Sequence, residues 1–461
     1  MKIKIGKGAM LMSRLASLTG GELFGDGNVS FDYVCTDSRE ADGDTLFVCI
    51  RGERVDGHDY IQKAAALGCR CVLCEREADG MSCVKVPDSV EALSVLARGY
   101  GEGDGRKTVA ITGSVGKTTT KEMIAASLSC LSPYKTQGNY NSVIGSPLSM
   151  LEMDGTERAA VLEMGMSGLS EIEKMSFAAR PDIAVITNIG SSHLEMLGSR
   201  ENIRRAKLEI VCGLKEGGVL LLNGDDPMLK DVNVGVKTLR VSLRDRSCEF
   251  FAKDIESDGV GVSFTAVYPN KSEQGVYLNA LGEHNVQAAL FGLAAAYLLG
   301  VDSKAAADGL SRFENTGMRQ RIYPLGGLTV IEDCYNASPE SMRAAIGVAT
   351  SLAKRGGGRA VALLGDMKEL GEGSADMHRA LGRFAAEAGI GLLFSYGELA
   401  RDIARGAREA GLSDVIELAS DPKDAASAII EKAQDNDILL FKASRAMALE
   451  GVIQILKERM V

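Results

Sequence analysis

With 461 residues the chain is too long for one hydrophobic core, and its length predicts two or three domains. Its composition, 45% hydrophobic and 25% charged, is that of an ordinary globular protein, and no apolar run approaches the roughly 20 residues of a membrane span. The net charge of −10 argues against a general nucleic-acid binder, so any anionic ligand must be held by local positive groups.

Residues 1–21 read as a surface strand and helix rather than a signal peptide, because Ser13 and Arg14 interrupt the short apolar stretch. A small-residue helix is expected at 61–68, followed by a buried strand at 70–74. Cys69, Cys71, Cys74 and Cys83 cluster there, but their spacing is poor for zinc. They read as small hydrophobes, and free thiols suit a reducing cytoplasm. Glycines and charges at 100–105 mark a linker, which sets a first domain at residues 1–104.

The second block, 105–316, opens with Ile111-Thr112-Gly113-Ser114-Val115-Gly116-Lys117-Thr118-Thr119-Thr120, an apolar strand running through a glycine turn into a helix. That order makes a phosphate cradle, in which backbone N–H groups and the helix N-terminus face an anion. Lys117 is placed for a terminal phosphate and the Thr118 hydroxyl for Mg²⁺. Gly113 and Gly116 enclose only two residues, which disfavours an ordinary GTPase or kinase loop. Strands are expected at 109–112, 159–164, 183–189 and 219–223, and alternating strands and helices imply a parallel sheet with ligands at its carboxyl edge. Glu163 ends one of these strands and is a candidate Mg²⁺ ligand with Thr118. His193 follows another in a Gly-Ser loop, as a metal ligand or acid–base group. An Ala-rich helix at 286–299 and a short helix ending near Phe313 close the block.

The third block, 317–461, carries strands at 328–332, 360–364, 392–395 and 438–441 between helical patterns. The expected fold class is α/β with three domains: a central parallel-sheet, P-loop ATPase-like domain follows the N-terminal one, and a C-terminal Rossmann-like open α/β sheet ends the chain.

Gly113 to Thr119, the block Thr187-Asn188-Ile189-Gly190 with His193, Arg205-Ala206-Lys207-Leu208-Glu209-Ile210 and Gly282-Glu283-His284-Asn285 together resemble the Mur ligase family, the ATP-dependent amide-forming enzymes of peptidoglycan synthesis. The resemblance covers essentially the whole chain. It implies that Gly113, Ser114, Val115, Gly116, Lys117, Thr118, Thr119, Asn285, Arg319 and Asp333 contact ATP, and that Lys117, His193 and Lys207 serve catalysis. It also implies a carbamylated, CO₂-derived Lys207 that joins Thr118, Glu163 and His193 as a metal ligand.

The outer blocks narrow the expectation. Thr36-Asp37-Ser38-Arg39 and the segments at 43–48 and 52–58 resemble a uridine-nucleotide-binding domain. Asp333-Cys334-Tyr335-Asn336-Ala337-Ser338-Pro339, the block at 364–371 and Lys442-Ala443-Ser444-Arg445 resemble the branch that joins D-alanyl-D-alanine to UDP-N-acetylmuramoyl-tripeptide. By that resemblance Asp37, Ser38, Arg39, Asn139, Asn141, Tyr335, Asn336, Lys442, Ser444 and Arg445 face these two substrates. Ala288 departs from the family's pattern on the adenine side, where a second asparagine is usual. Cys334 and Ser338 replace more usual Ser and Asn. The implied enzyme is a cytoplasmic monomer that uses ATP and Mg²⁺ and forms ADP and phosphate. A folylpolyglutamate synthetase-like ligase, another amino-acid-adding Mur ligase and a non-enzymatic ATP-regulated scaffold stand as alternatives. Residues 1–104 argue against the first, and the set Glu163, His193 and Lys207 against the last.

Overall fold

The computed structural model describes residues 1–315 and 317–460, so the expected limit at 316/317 falls on Thr316, outside the described residues, as does Val461. Three main sheets follow one another along the chain. The first has six strands drawn from residues 2–85, the second nine from residues 107–278, and the third six from residues 321–442. The expected opening strand and helix are present as Lys2–Lys4 and Met12–Thr19. The cysteine-rich strand is Cys71–Cys74, and all four of its residues are buried.

The central sheet is built around Lys107–Thr112, flanked in parallel by Ala159–Glu163 and Ile183–Ile186, with Val219–Asn223 beyond the latter. These strands are apolar on both faces because both faces are covered. Val109, Ile111, Val161, Val185 and Leu221 belong to one core, with the helices Lys117–Ser127 and Glu283–Leu298. The alternate residues Ala110, Leu162, Ala184, Ile186 and Leu220 belong to another. This second core is continuous with residues of the N-terminal sheet such as Leu46 and Leu73, whereas the first runs on into Ile346, Leu364 and Leu440 of the C-terminal chain. The central sheet therefore joins all three units through apolar contact.

Two differences from the sequence reading concern sheet edges. The central sheet is parallel only as far as Phe250–Ser257. The strands Val262–Val267 and Glu273–Leu278 extend it antiparallel, and their alternating burial marks a sheet margin with one wet face. In the C-terminal sheet Arg321–Leu325 pairs antiparallel with Leu328–Glu332. The neighbours Ile438–Lys442, Ala360–Gly365, Leu392–Tyr396 and Val415–Leu418 are parallel, as an open α/β sheet requires.

The helix after the phosphate loop owes its position to one small residue. A Cβ at Gly292 would lie 2.5 Å from Ser127 Oγ and 2.9 Å from the Met123 carbonyl oxygen, so only glycine lets Glu283–Leu298 pack this closely on Lys117–Ser127. Gly292→Val should therefore destabilise the protein by about 1–3 kcal/mol through overpacking, read as a lowered urea midpoint. An unchanged midpoint would show that the two helices can separate freely.

Candidate active site

At the carboxyl edge of the central sheet the chain turns through Gly113 and Gly116 before the helix starts at Lys117. Gly113 has φ 153°, and a Cβ there would sit 1.8 Å from Thr187 Oγ1, so the loop can lie on the neighbouring strand end only because this residue has no side chain. Asn188 fixes the middle of the loop: its Oδ1 accepts from the Val115 N–H at 2.9 Å and its Nδ2 donates to the Val115 carbonyl at 2.9 Å. Among the described residues, no acceptor serves the N–H groups of Gly116, Lys117, Thr118 and Thr119. They are the orphan donors of a helix N-terminus and form an anion site. Lys117 Nζ rests over its own loop, donating to the Gly113 carbonyl at 2.8 Å. Burial, reinforced by Arg319 against the opposing pull of Glu163, lowers its pKa.

Glu163 is buried at the end of its strand and carries the oxygen side of the site. The Thr118 hydroxyl donates to its Oε2 at 2.9 Å, and Asn141 Nδ2 donates to its Oε1 at 2.8 Å. Lys121, which gives no local signal in the sequence, is buried 4.0 Å from the same carboxylate and donates to the Thr136 carbonyl at 2.7 Å. A hydroxyl and a carboxylate set side by side beside the loop suit a hard divalent cation that also takes phosphate oxygens and water. Among the described residues, no three His, Cys, Asp or Glu side chains form a closed metal cage.

His193 stands at φ 65°, its Nδ1 2.9 Å from Glu369 Oε2. Burial lowers its pKa, Glu369 opposes this, and Lys117 and Lys207 add to the lowering. Lys207 lies on the helix Arg200–Leu208, 1% exposed, and its Nζ has no hydrogen-bond or ion-pair partner among the described residues. Burial first, then the charge of Lys117, brings its pKa well below the usual lysine value. It is not a solvated surface lysine.

The C-terminal chain closes the other side. Lys442 ends its strand buried and donates to Asp333 Oδ2 at 2.7 Å and to the Asn336 carbonyl at 3.2 Å, so it is not a solvated helix start. The Arg319 guanidinium stacks 4.0 Å from the Tyr335 ring centre. Asn285 is buried, its amide donating to the Leu281 carbonyl at 2.8 Å and to Gln320 Oε1 at 2.6 Å. One cavity of about 630 Å³ is lined by the loop from Ser114 to Thr119, Asn141, Glu163, His193, Asn285, Ala288, Arg319, Asp333, Tyr335, Asn336 and Lys442.

Other expected residues lie apart from that lining. Asp37, Ser38 and Arg39 form a turn after the strand Tyr33–Cys35, where Asp37 accepts from the Arg39 backbone at 3.0 Å and from its guanidinium, which holds the carboxyl well below its ordinary pKa. Asn139 is exposed in the loop before Asn141. Arg445 Nη1 donates to Glu450 Oε1 at 2.7 Å, and Ser444 Oγ accepts from the Lys368 N–H at 2.9 Å.

Comparison with known proteins places this arrangement. The chain is 40% identical over 432 residues to the UDP-N-acetylmuramoyl-tripeptide–D-alanyl-D-alanine ligase of Bacillus subtilis, spanning 92% of this chain and 93% of that protein. The chain belongs to the Mur ligase family. Three family descriptions match in order: the Mur ligase catalytic domain at residues 30–100, the Mur ligase middle domain at 111–296 and the Mur ligase glutamate ligase domain at 312–445. The Escherichia coli ligase of the same name is 33% identical over 460 residues, covering 98% of this chain and 99% of its own. Among solved Mur ligase structures, MurF from Acinetobacter baumannii superposes with a TM-score of 0.87 at 29% identity, covering 98% of this chain and 100% of its own. MurF ligase from Thermotoga maritima, solved in complex with ADP, gives 0.83 at 30% identity, covering 93% and 97%.

In this Mur ligase the loop that brings Glu369 to His193 is pinned from behind. His378 is fully buried; its Nε2 accepts from the Met367 N–H at 2.9 Å, and its Nδ1 donates to the Ser374 carbonyl at 2.7 Å. Burial lowers the His378 pKa, so the folded state holds the neutral ring. The unfolded chain takes up a proton near pH 6.5 while the folded chain does not. Stability is therefore full above about pH 6.5 and is lost as pH falls toward the folded pKa. Urea midpoints measured from pH 7.5 to 5 should fall in the wild type and fall less in His378→Gln. Identical slopes would remove His378 from the acid response.

Proposed function

We propose that this chain is an ATP-dependent ligase that joins D-alanyl-D-alanine to UDP-N-acetylmuramoyl-tripeptide in peptidoglycan precursor synthesis. The observation that carries the reading is the single cavity walled by the phosphate loop on one side and by Arg319, Asp333, Tyr335, Asn336 and Lys442 on the other. It is supported by the names of the relatives above and by the ADP bound to the Thermotoga protein. Residues 1–104 take the uridine end through Asp37, Ser38 and Arg39, residues 105–316 take ATP, and residues 317–461 take the dipeptide through Tyr335, Asn336, Lys442, Ser444 and Arg445. Asn139 and Asn141 face the nucleotide-sugar substrate. No helix among the described residues is long and apolar enough to cross a membrane, and the enzyme is read as a cytoplasmic monomer.

The residues divide the work by chemistry. The N–H groups of the loop seat the phosphates, and Lys117 meets the charge that develops on the transferred phosphoryl group. Arg319 and Asp333 close over ATP beside Asn285. The tripeptide carboxylate takes the γ-phosphoryl group to give an acyl phosphate, the dipeptide amine attacks its carbonyl carbon, and phosphate leaves. Closure of the C-terminal chain over the loop excludes water from the acyl phosphate. Thr118, Glu163 and His193 would hold Mg²⁺, which supplies charge neutralisation at the phosphates. Lys207 fits carbamylation by CO₂ because its amine is buried without a counterion and lies near Lys117; the modified side chain supplies an anionic oxygen donor in place of a second cation.

Phosphate release should require UDP-N-acetylmuramoyl-tripeptide and D-alanyl-D-alanine together. Efficient addition of glutamate to a folate, or of a free amino acid to the UDP-dipeptide, would overturn the assignment. Lys117→Ala should lower turnover by about a hundredfold or more, and near-normal turnover would take the loop out of catalysis. Lys207→Ala should be nearly inactive and partly rescued by a short-chain carboxylic acid. Full activity of that variant would defeat the carbamate.

A further inference from the structure

The proposed ligation leaves one chemical need unmet. The dipeptide amine arrives largely as an ammonium, since an α-amino group has a pKa of about 7.7–8.0, and it must lose a proton before it can attack. We propose that Glu340 is the proton acceptor for that amine, an inference that rests on the ligase reading above.

Glu340 stands at the start of the helix Pro339–Gly356, four residues after Asn336, and is exposed to the cavity. Its Oε1 accepts from the Ser191 N–H at 3.1 Å and the Ser191 hydroxyl at 3.0 Å. Its Oε2 has no partner among the described residues. The loop under it is tied to the phosphate cradle, because the Gly190 N–H donates to Ser114 Oγ at 2.8 Å. A carboxylate oxygen carried by the C-terminal chain is thus held open above the loop that seats the phosphates.

The other charged or titratable groups facing this part of the cavity are Lys117, Glu163, His193, His284, Arg319, Asp333, Tyr335 and Lys442; burial lowers the His284 pKa, and its ring stands on the central helix Glu283–Leu298 rather than on the C-terminal wall. Lys117, Arg319 and Lys442 are cations. Glu163 is engaged by Thr118 and Asn141, Asp333 is paired with Lys442, and His193 is paired with Glu369. Of the remaining carboxylates in the lining, Asp225 has both oxygens bonded by Ser242 and the Leu243 N–H, Glu283 is paired with Arg244, and Glu171 accepts from the Ser167 N–H. Glu340 alone combines an open oxygen, no cation partner and a place on the C-terminal wall.

The step balances. One ammonium N–H bond breaks and its proton goes to Glu340 Oε2, the freed lone pair forms the C–N bond, and the C–O bond to phosphate breaks with its electron pair on phosphate. The second amine proton leaves with the phosphate.

Glu340→Gln keeps an oxygen for Ser191 but cannot take the proton. With the full chain, ATP, Mg²⁺ and the UDP-tripeptide, dipeptide-dependent ADP release should fall about a hundredfold at pH 7. The deficit should shrink toward pH 9, where the free amine accumulates. Hydroxylamine, which is uncharged at pH 7, should still trap the acyl phosphate at the wild-type rate, and Glu340→Asp should recover part of the ligation. Equal loss of the hydroxylamine and dipeptide reactions at every pH would mean that Glu340 only docks the C-terminal chain, and would overturn the proposal. Wild-type ligation by Glu340→Gln would overturn it too. Failure of the wild type itself to form the pentapeptide would instead overturn the ligase reading.

Discussion

Lys207 is buried with no hydrogen-bond or ion-pair partner among the described residues, and the charge of Lys117 adds to the cost of keeping it an ammonium, although Lys207 does not itself line the cavity. Taking an ammonium out of water without a partner is costly enough that the group gives up its charge, acquires an anion or is chemically changed. Under the proposed function, a phosphate chain on the open N–H groups of Gly116 to Thr119 supplies the anion for Lys117, and the proposed carbamate removes the second cation.

The fold holds this charge in place through continuity of its cores. Each central strand sends alternate residues into two different cores, one shared with the N-terminal sheet and one shared with the C-terminal chain. The strands that carry the loop at the carboxyl edge are consequently packed on both faces, and Asn188 holds Val115 while Gly113 lies against Thr187. Polar contacts between the central and C-terminal units include Glu340 on Ser191, Glu369 on His193, the Glu195 N–H on the Glu369 carbonyl at 3.2 Å, Gln320 with Asn285 and the Leu281 carbonyl, and Arg355 on the Ser257 carbonyl. The contacts at Ser191, His193 and Glu195 gather on one loop, whereas the Gln320 bonds and the shared apolar core hold the two units together elsewhere.

The placement of the phosphate loop, Glu163 and His193 at the carboxyl edge of the central sheet was legible in the sequence because their signals are local: glycine spacing, a strand end and a polar turn. The strands Val219–Asn223 and Leu328–Glu332 were legible to the residue, since a strand buried on both faces is a plain apolar run. The antiparallel margin at Val262–Val267 and Glu273–Leu278 was not, because exposed residues such as Ser263, Glu273 and Tyr277 break up its pattern. Asn188 fell inside a recognisable block, yet its grip on Val115 depends on a strand more than 70 residues away in sequence. Glu369 fell inside the block at 364–371 and Glu340 directly follows the block at 333–339, yet their contacts with His193 and Ser191 come from tertiary packing, as does the place of Lys121 beside Glu163.

Phosphate loop, buried lysines and C-terminal wall form one account only if the tripeptide carboxylate is itself phosphorylated in the cavity. Ligation run with the UDP-tripeptide labelled with ¹⁸O in that carboxylate tests this directly, by mass analysis of the released phosphate. Transfer of one ¹⁸O atom to each phosphate is the result the account predicts. Unlabelled phosphate, with the displaced ¹⁸O recovered in water or in the nucleotide instead, would contradict it.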